Sequence, residues 1–380
     1  MNMEDRNYQI CTNCVMDTSD PQIRFDENGL CDFCDNFYKT ILPSWHKGNQ
    51  DWQVLYAIAD NIRKEAKVKK YDCIIGLSGG TDSSYLTYIA KEKLGLNPLL
   101  VAVDTGWNLN VTNNNIENLI KKLNLDMVTI TVDWEEMKDL QLAFFKSAVP
   151  YQDLPQDVAI FSSLYYFAVQ HGYKYILTGG NISTECVKPP QEWTYYNDTR
   201  MIKDIHSRFG KKPMKKFPLC SMFKYRIWYR YFKGIKRIGI LNYVDYRKQE
   251  AIDLLVKNFD WEQYSNKHYE NRFTRFYEGW WMPKKFGYDK RRCYFSSLIL
   301  TGQMTRGEAL KELQNQPYDE KIANEDMAFI CDKLGVTVDE LMKFYKLDNK
   351  TFRDYKNSFK SIKMAVKLSK LLGIEKRNFR

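Results

Sequence analysis

The stretch with the most chemistry in it is Cys73-Ile74-Ile75-Gly76-Leu77-Ser78-Gly79-Gly80-Thr81-Asp82-Ser83-Ser84, an apolar run that stops in a glycine-rich turn. Residues 73–77 have no helical period, which reads as a strand buried on both faces. From Ser83 onward Leu86, Ile89, Ala90 and Leu94 recur at helical spacing, and Gly95 follows as a stop. A turn between strand and helix aims free N–H groups and the positive end of the helix dipole at whatever lies above it, so it is an anion cradle. The cradle lacks the lysine of G-x-x-x-x-G-K-[ST], which excludes the P-loop of kinases and GTPases. Gly79 and Gly80 let backbone approach phosphate oxygens, and Ser78, Ser83 and Ser84 can donate hydroxyls. Asp82 is suited to orient Mg²⁺.

The second chemical signal is Cys11-x-x-Cys14 followed, after sixteen residues, by Cys31-x-x-Cys34. Two such knuckles close a tetrahedral thiolate site with no open position, so a structural Zn²⁺ is expected, with an iron–sulfur cluster as the alternative. Asp20-Pro21 and Asn28-Gly29 supply turns between the pairs. The other cysteines, Cys73, Cys186, Cys220, Cys293 and Cys331, form no C-x-x-C pair.

The elements that position these residues alternate. An amphipathic helix spans Trp52–Ala66. Strands are predicted at 73–77, 99–103, 127–132 and 175–178, and helices at 83–94, around 116–123, 134–146 and 158–171. That order predicts an α/β fold, a doubly wound parallel sheet with right-handed crossovers. Ligands bind such sheets outside the carboxyl ends of the strands, where Asp104, Asp133 and Gly179-Gly180-Asn181 all fall. Asp133 taken alone reads as a helix cap, whereas Gly179 and Gly180 permit close approach to a nucleotide. The final third reads as helical, with capping boxes Thr305-x-x-Glu308 and Thr337-x-x-Glu340 and a basic amphipathic tail over 356–372.

Composition bounds the class. The 380 residues are 44% hydrophobic and 27% charged, which is globular, and nine cysteines are too few for a disulfide scaffold. No run reaches the length of a membrane span and the start has no signal-peptide core, so a cytoplasmic protein is expected. A formal charge of +10 favours anionic ligands. Residues 200–237 hold thirteen lysines and arginines against the single acid Asp204, interleaved with aromatics. That stretch can grip RNA, lie on an anionic membrane, dock an acidic partner, or be a solvated face over an aromatic core.

The loop Ser-Gly-Gly-x-Asp-Ser after a strand resembles that of the adenylating PP-loop enzymes (adenine nucleotide alpha hydrolase-like), which split ATP into AMP and pyrophosphate. The wider set resembles the N-acetyl sugar amidotransferases of bacterial surface-polysaccharide and nonulosonic-acid pathways. It comprises the four cysteines, 78–83, Val103-Asp104-Thr105-Gly106-Trp107, Gly179-Gly180-Asn181 with Glu185, Phe273-Thr274-Arg275-Phe276, and Lys285-Phe286-Gly287-Tyr288-Asp289-Lys290-Arg291 with Ser296-Ser297. The resemblance spans about residues 8–315. It implies ATP-dependent conversion of an acetamido group on a nucleotide-linked sugar to an acetamidino group through an O-adenylyl imidate.

In the implied site, Ser78, Gly79, Gly80, Asp82, Ser83, Ser84, Asp104, Gly179, Gly180 and Asn181 hold ATP and Mg²⁺. Lys285, Arg291 and Arg292 meet phosphates, Glu185 orients substrate or takes a proton from ammonia, and Cys11, Cys14, Cys31 and Cys34 hold Zn²⁺. The implied domains are a zinc module at 1–50, a PP-loop ATP-binding domain at 51–185, a basic docking region at 186–265 and a substrate-binding helical region at 266–380. No glutaminase elbow is present, so a separate (HisH-like) glutaminase subunit is the expected ammonia source, docked on 200–237. Nucleic acid is not an expected partner, and a homo-oligomer is left open. The alternative is a tRNA-thiolating PP-loop enzyme, for which Cys186 near Gly180 is the sulfur-carrying candidate.

Overall fold

A computed structural model describes residues 7–45, 52–66, 69–107, 110–195, 198–263 and 270–371. Strands β1 (Cys73–Gly76), β2 (Pro98–Asp104), β3 (Met127–Thr131), β4 (Tyr175–Leu177) and β5 (Lys236–Ile238) form one parallel sheet in the order β3-β2-β1-β4-β5. The chain winds outward from β1 to β3, then returns to place β4 on the other side of β1. This is the doubly wound parallel fold that the alternation predicts, and its topological switch lies between β1 and β4.

Helix α1 (Trp52–Ala66) precedes the sheet, and the helices between and after its strands are α2 (Thr81–Tyr88), α3 (Asn110–Leu123), α4 (Trp134–Ser147), α5 (Leu154–Gln170), α6 (Thr199–Phe209) and α7 (Lys248–Phe259). Strand alternation sorts the sheet's two faces. Ile75, Leu100 and Leu177 pack with Leu55, Ile62, Leu86, Leu119 and Leu255 on one side. Ile74, Val101 and Ile176 pack with Tyr165, Ala168 and Tyr229 on the other. Burial on both faces is why the β1 sequence shows no polar alternation.

Two differences from the sequence reading have physical causes. Strand β5 has no apolar run to announce it: its residues are Lys236, Arg237 and Ile238, mostly exposed at the sheet edge, and its register with β4 is held by backbone hydrogen bonds. The sheet therefore continues beyond residue 185, and α7 packs beside α2. The helix expected from 158 begins instead at Leu154, with Pro155 in its first turn, where proline's missing N–H costs nothing.

The last part of the chain contributes α8 (Arg272–Phe276), α9 (Arg291–Leu300), α10 (Arg306–Gln314), α11 (Glu320–Leu334), α12 (Val338–Tyr345) and α13 (Phe359–Leu371). Both expected capping boxes are present, at Thr305/Glu308 and Thr337/Glu340. The basic tail helix runs to Leu371; Leu372 lies outside the described residues. A third apolar cluster, with Trp107, Phe144, Phe145, Phe273, Phe276 and Trp281, joins these helices to α4, α5 and the cysteine module.

An ion triad fastens α8 to α11. Asp326, fully buried, accepts Arg272 Nε at 2.8 Å and the fork of Arg275 at 2.7 Å on each oxygen. Asp326→Ala leaves two guanidinium groups facing one another without their counter-charge. Because both arginines are partly hydrated, the expected loss is at the lower end for a broken buried pair, about 3 kcal/mol, read as a lower urea midpoint at unchanged m.

Candidate functional site

The cradle after β1 is built from short-range hydrogen bonds. Ser83 Oγ donates to Gly80 O (3.1 Å), Ser84 N to Gly80 O (3.1 Å) and Gly80 N to Ser78 Oγ (3.3 Å). Gly80 is the N-cap of α2 with an extended backbone, so the first turn of the helix faces the crevice. Gly79 has φ +79°, and a Cβ there would lie 2.6 Å from Thr112 Cγ2. Asp82 accepts a hydrogen bond from the hydroxyl of Tyr246, whose ring is buried; burial and the Asp82 carboxylate hold that phenol well above its usual range. Tyr246 therefore fixes the direction of the Asp82 carboxylate.

The turn after β4 lies directly against this loop. A Cβ on Gly179 would stand 2.9 Å from the Asp82 carbonyl carbon and 3.0 Å from Ser83 N, so Gly179 serves backbone-to-backbone packing. Gly180 is less tightly enclosed: a Cβ there would meet Arg237 Nη2 and Glu185 Oε2 at 3.8 Å, ordinary contact distance. Asn181 caps the short helix Ile182–Glu185 by accepting from Thr184 N (2.9 Å) and donates to Gly179 O (3.0 Å). Asp104 accepts from Gly106 N (2.8 Å), and Asp133 caps α4 by accepting from Glu136 N, as its position after a strand suggested.

Two cavities open side by side above the sheet. One, of about 630 Å³, is lined by Ser78, Gly80, Asp82, Ser83, Gly179, Gly180 and by Arg247 and Lys248 at the start of α7. The other, of about 460 Å³, runs over the ends of β1 and β2 and is walled by Tyr151, Asp153, Asp157, Lys188, Glu278, Lys290 and Arg291. Gly76, Ser78, Glu185, Glu270 and Tyr294 line both, so the two spaces meet at the mouth of the loop. Glu270 reaches the loop itself: a Cβ on Gly80 would come within 2.8 Å of its Oε1.

The wall of the second cavity is a buried polar network. Thr105 Oγ1 and Asn271 Nδ2 donate to Gln156 Oε1 (2.8 and 2.6 Å), while Gln156 Nε2 and Thr274 Oγ1 donate to the two oxygens of Asp153 (2.7 and 2.9 Å). Burial first, then the neighbouring Asp157 and Glu278 carboxylates, push the Asp153 carboxyl well above its usual range. Tyr151 donates to Asp157, and Lys290 is paired with Glu278. The sequence offered no sign of Asp153 and Asp157, which look like ordinary first-turn acids around Pro155.

The expected site residues divide accordingly. Ser78, Gly80, Asp82, Ser83, Gly179, Gly180, Glu185 and Arg291 line the cavities. Gly79, Ser84, Asp104 and Asn181 shape the loops behind them and line neither. Arg291 is also held from its own side by Asp289 (2.7 Å) and by the carbonyls of Glu312 and Asn315. Lys285 and Arg292 stand elsewhere. Lys285 Nζ donates to the carbonyls of Tyr345 and Leu347 at the end of α12. Arg292 pairs with the buried Asp17 (3.0 Å) and donates to Val15 O (2.8 Å), which makes it a clamp on the cysteine module in place of a phosphate ligand.

Cys11, Cys14, Cys31 and Cys34 are buried, with all four sulfurs within 4.8 Å of one another and neighbouring pairs at 3.6–3.8 Å. A tetrahedron with metal–sulfur arms of about 2.3 Å has edges of about 3.8 Å, so the donor set fits a four-coordinate metal ion. Backbone N–H groups of Asn13 and Cys31 point at Cys11 Sγ (3.4 and 3.3 Å), as thiolates require. Among the remaining thiols, burial pushes Cys186, Cys220 and Cys331 up to about 11 and raises Cys73 and Cys293 further. Cys186 lines neither cavity.

Residues 270–369 match the family described as LPS biosynthesis protein WbpG-like, C-terminal domain. The match supports the amidotransferase resemblance carried by the motifs. Over 327 residues the chain is 22% identical to the uncharacterized protein MJ1599 of Methanocaldococcus jannaschii, covering 83% of this chain and 96% of that one. A 99-residue segment is 29% identical to the glutamine-hydrolyzing GMP synthase of Thermosipho africanus, covering 26% of this chain and 19% of that one. The NH3-dependent NAD synthetase from Campylobacter jejuni, solved in complex with the nitrate ion, aligns with a TM-score of 0.28 at 17% identity over 55% of this chain and 94% of that one.

Two outcomes follow from this geometry. Cys14→Ser removes one of four converging sulfurs and is expected to lower bound metal to a small fraction of one ion per chain, measured by elemental analysis. Asp153 binds its proton more tightly folded than unfolded, so from about pH 4 up to its raised value it lowers stability as pH rises. Asp153→Asn is expected to flatten that part of the pH dependence, seen in urea midpoints compared with the wild type across the window.

Proposed function

We propose that the chain is an ATP-dependent, AMP-forming amidotransferase that converts an acetamido group of a nucleotide-activated sugar into an acetamidino group, with ammonia supplied by a glutaminase subunit. The observation that carries the proposal is the pair of cavities with a common wall at Ser78, Glu185, Glu270 and Tyr294. Both volumes are in the range of small-ligand sites. ATP is assigned to the larger, with its phosphates on the loop, and the sugar to the other.

An amide oxygen is a poor leaving group until it is phosphorylated. In the proposed reaction the acetamido oxygen attacks the α-phosphorus, pyrophosphate departs onto the loop, and the amide nitrogen loses its proton. Ammonia then adds to the imidate carbon, AMP leaves with the oxygen, and one ammonia proton is released. The N–H groups at the start of α2 and the hydroxyls of Ser78 and Ser83 face the departing pyrophosphate. Asp82, held by Tyr246, and Glu185 would hold Mg²⁺, whose charge offsets that of the phosphates. Glu185 sits on both cavities and is also the group we assign to the ammonia proton. Lys188 and Arg291 are the cations assigned to the phosphates of the sugar carrier, in place of Lys285 and Arg292. Zn²⁺ is the ion assigned to the four cysteines, in a purely structural role.

The thiolating alternative is disfavoured by the raised thiols, since a sulfur carrier works as the thiolate. The WbpG-like C-terminal domain and local similarity to a GMP synthase support an enzyme that activates with ATP and transfers nitrogen. In this reading 1–50 is the zinc module, 51–185 with β5 and α7 the nucleotide domain, and 266–380 the acceptor domain.

The test is product analysis with N-acetyl nucleotide sugars, ATP and ammonium at alkaline pH. AMP and pyrophosphate are expected, glutamine alone is expected to give nothing, and Asp82→Asn is expected to cost at least about a hundredfold in rate. ADP as product, or turnover with glutamine by the single chain, would overturn the reading.

A further inference from the structure

The helix Lys224–Phe232 is wound with i→i+5 hydrogen bonds, at about 4.4 residues per turn. That winding gathers Phe223, Ile227, Trp228, Tyr231 and Phe232 onto one stripe, and all five are exposed, Phe223 at 69% and Phe232 at 68%. Tyr225 and Tyr229 fall on the opposite side and pack against Phe161, Tyr165 and Tyr166 of α5. The helix is thus already satisfied on its inner face, while its outer face presents two stacked rings, Trp228 and Phe232, with centroids 4.8 Å apart.

Residues 221–237 contain Lys224, Arg226, Arg230, Lys233, Lys236 and Arg237 and no acid. Arg226 and Arg230 are exposed beside the aromatic stripe, their guanidinium groups lying back over the rings of Tyr225 and Tyr231, while Lys224 lies over Tyr166 and Tyr229 at the packed face. Aromatic tips between flanking cations, on a helix anchored by its other face, are the arrangement that seats a helix in the headgroup layer of a bilayer. A second exposed basic face recurs on α13, where Met364, Leu368 and Leu371 stand among Lys360, Lys363 and Lys367, again with no acid in 359–371.

We propose that the aromatic and basic face of the Lys224–Phe232 helix docks on the surface of an anionic lipid bilayer, making the chain a peripheral membrane protein. Among the described residues no helix is long and apolar enough to cross a membrane, so attachment at the surface is the form that contact takes. The cations attract anionic headgroups and the rings enter the interface. Attachment must therefore weaken with salt and require both features. The cavities open elsewhere, so the proposal is independent of the reaction assigned to them.

The test is co-sedimentation of the full-length chain with phosphatidylcholine vesicles, with and without phosphatidylglycerol. At least about tenfold tighter binding to the anionic vesicles is expected, falling as salt is raised. Phe223→Ser/Trp228→Ser/Phe232→Ser is expected to abolish it with an unchanged thermal midpoint, since these side chains touch little of the core. Arg226→Glu/Arg230→Glu is expected to do the same with all rings in place. A wild type that stays in the supernatant with anionic vesicles overturns the proposal, including the case where the face binds an acidic protein. Binding that either variant retains in full overturns it as well.

Discussion

Everything in the site depends on a contact between two pieces of backbone. The turn that ends β4 lies so close to the first turn of α2 that no side chain fits at Gly179, and Gly239, after β5, approaches Gly180 O just as closely, with a Cβ position 3.0 Å away. Three parallel strands therefore end at one floor made almost entirely of main chain. Parallel strands bring this about because their carboxyl ends point the same way, and the switch from β1 to β4 leaves a crevice there that no crossover covers. The start of α2 then points its N–H groups into that crevice, and hydrogen bonds of the loop's own Ser78 and Ser83 hold its shape.

The second cavity rests on a different constraint, the cost of burying polar groups. A carboxyl as deeply buried as Asp153 is tolerated because Gln156 and Thr274 each donate to one of its oxygens, and Gln156 is in turn held by Thr105 and Asn271. Thr105 follows β2, Asp153 and Gln156 stand at the start of α5, and Asn271 and Thr274 at the start of α8, so the network also fixes how α8 meets the sheet.

Where the physics is local, the sequence shows it plainly. The β1 loop, the four cysteines, the capping boxes and the limits of α1 are each written in residues close together, because turns, knuckles and caps are made by neighbours. Where it depends on distant partners it does not. Strand β5 is a charged edge that exists only because β4 offers it a ladder. Tyr246 reaches Asp82 across 164 positions. Arg292 and Lys285 have the type and density of phosphate ligands, yet Arg292 is taken by Asp17 and Val15 and Lys285 by two carbonyls at the end of α12. Nor does the stretch 200–237 show which of its aromatics turn inward, as Phe217 and Tyr229 do, and which stay exposed, as five of their neighbours do.

The cysteine module gains its meaning from where it is fastened. Arg306 donates to the carbonyls of Cys11 and Cys14, Ser296 accepts from Val15 N at 3.2 Å, and Arg292 holds Asp17 and Val15. Two of these three anchors belong to α9, whose Arg291, Cys293, Tyr294 and Phe295 wall the second cavity, with Tyr294 on the boundary between both. Four buried thiols converging on one point do no chemistry of their own, but a metal ion held there would set the spacing of the two knuckles to a few tenths of an ångström. Through α9 that spacing becomes the position of the cavity wall. The cysteine module is thereby fastened to the helix that places Tyr294 and Arg291 against the crevice, although it lies far from the loop in sequence.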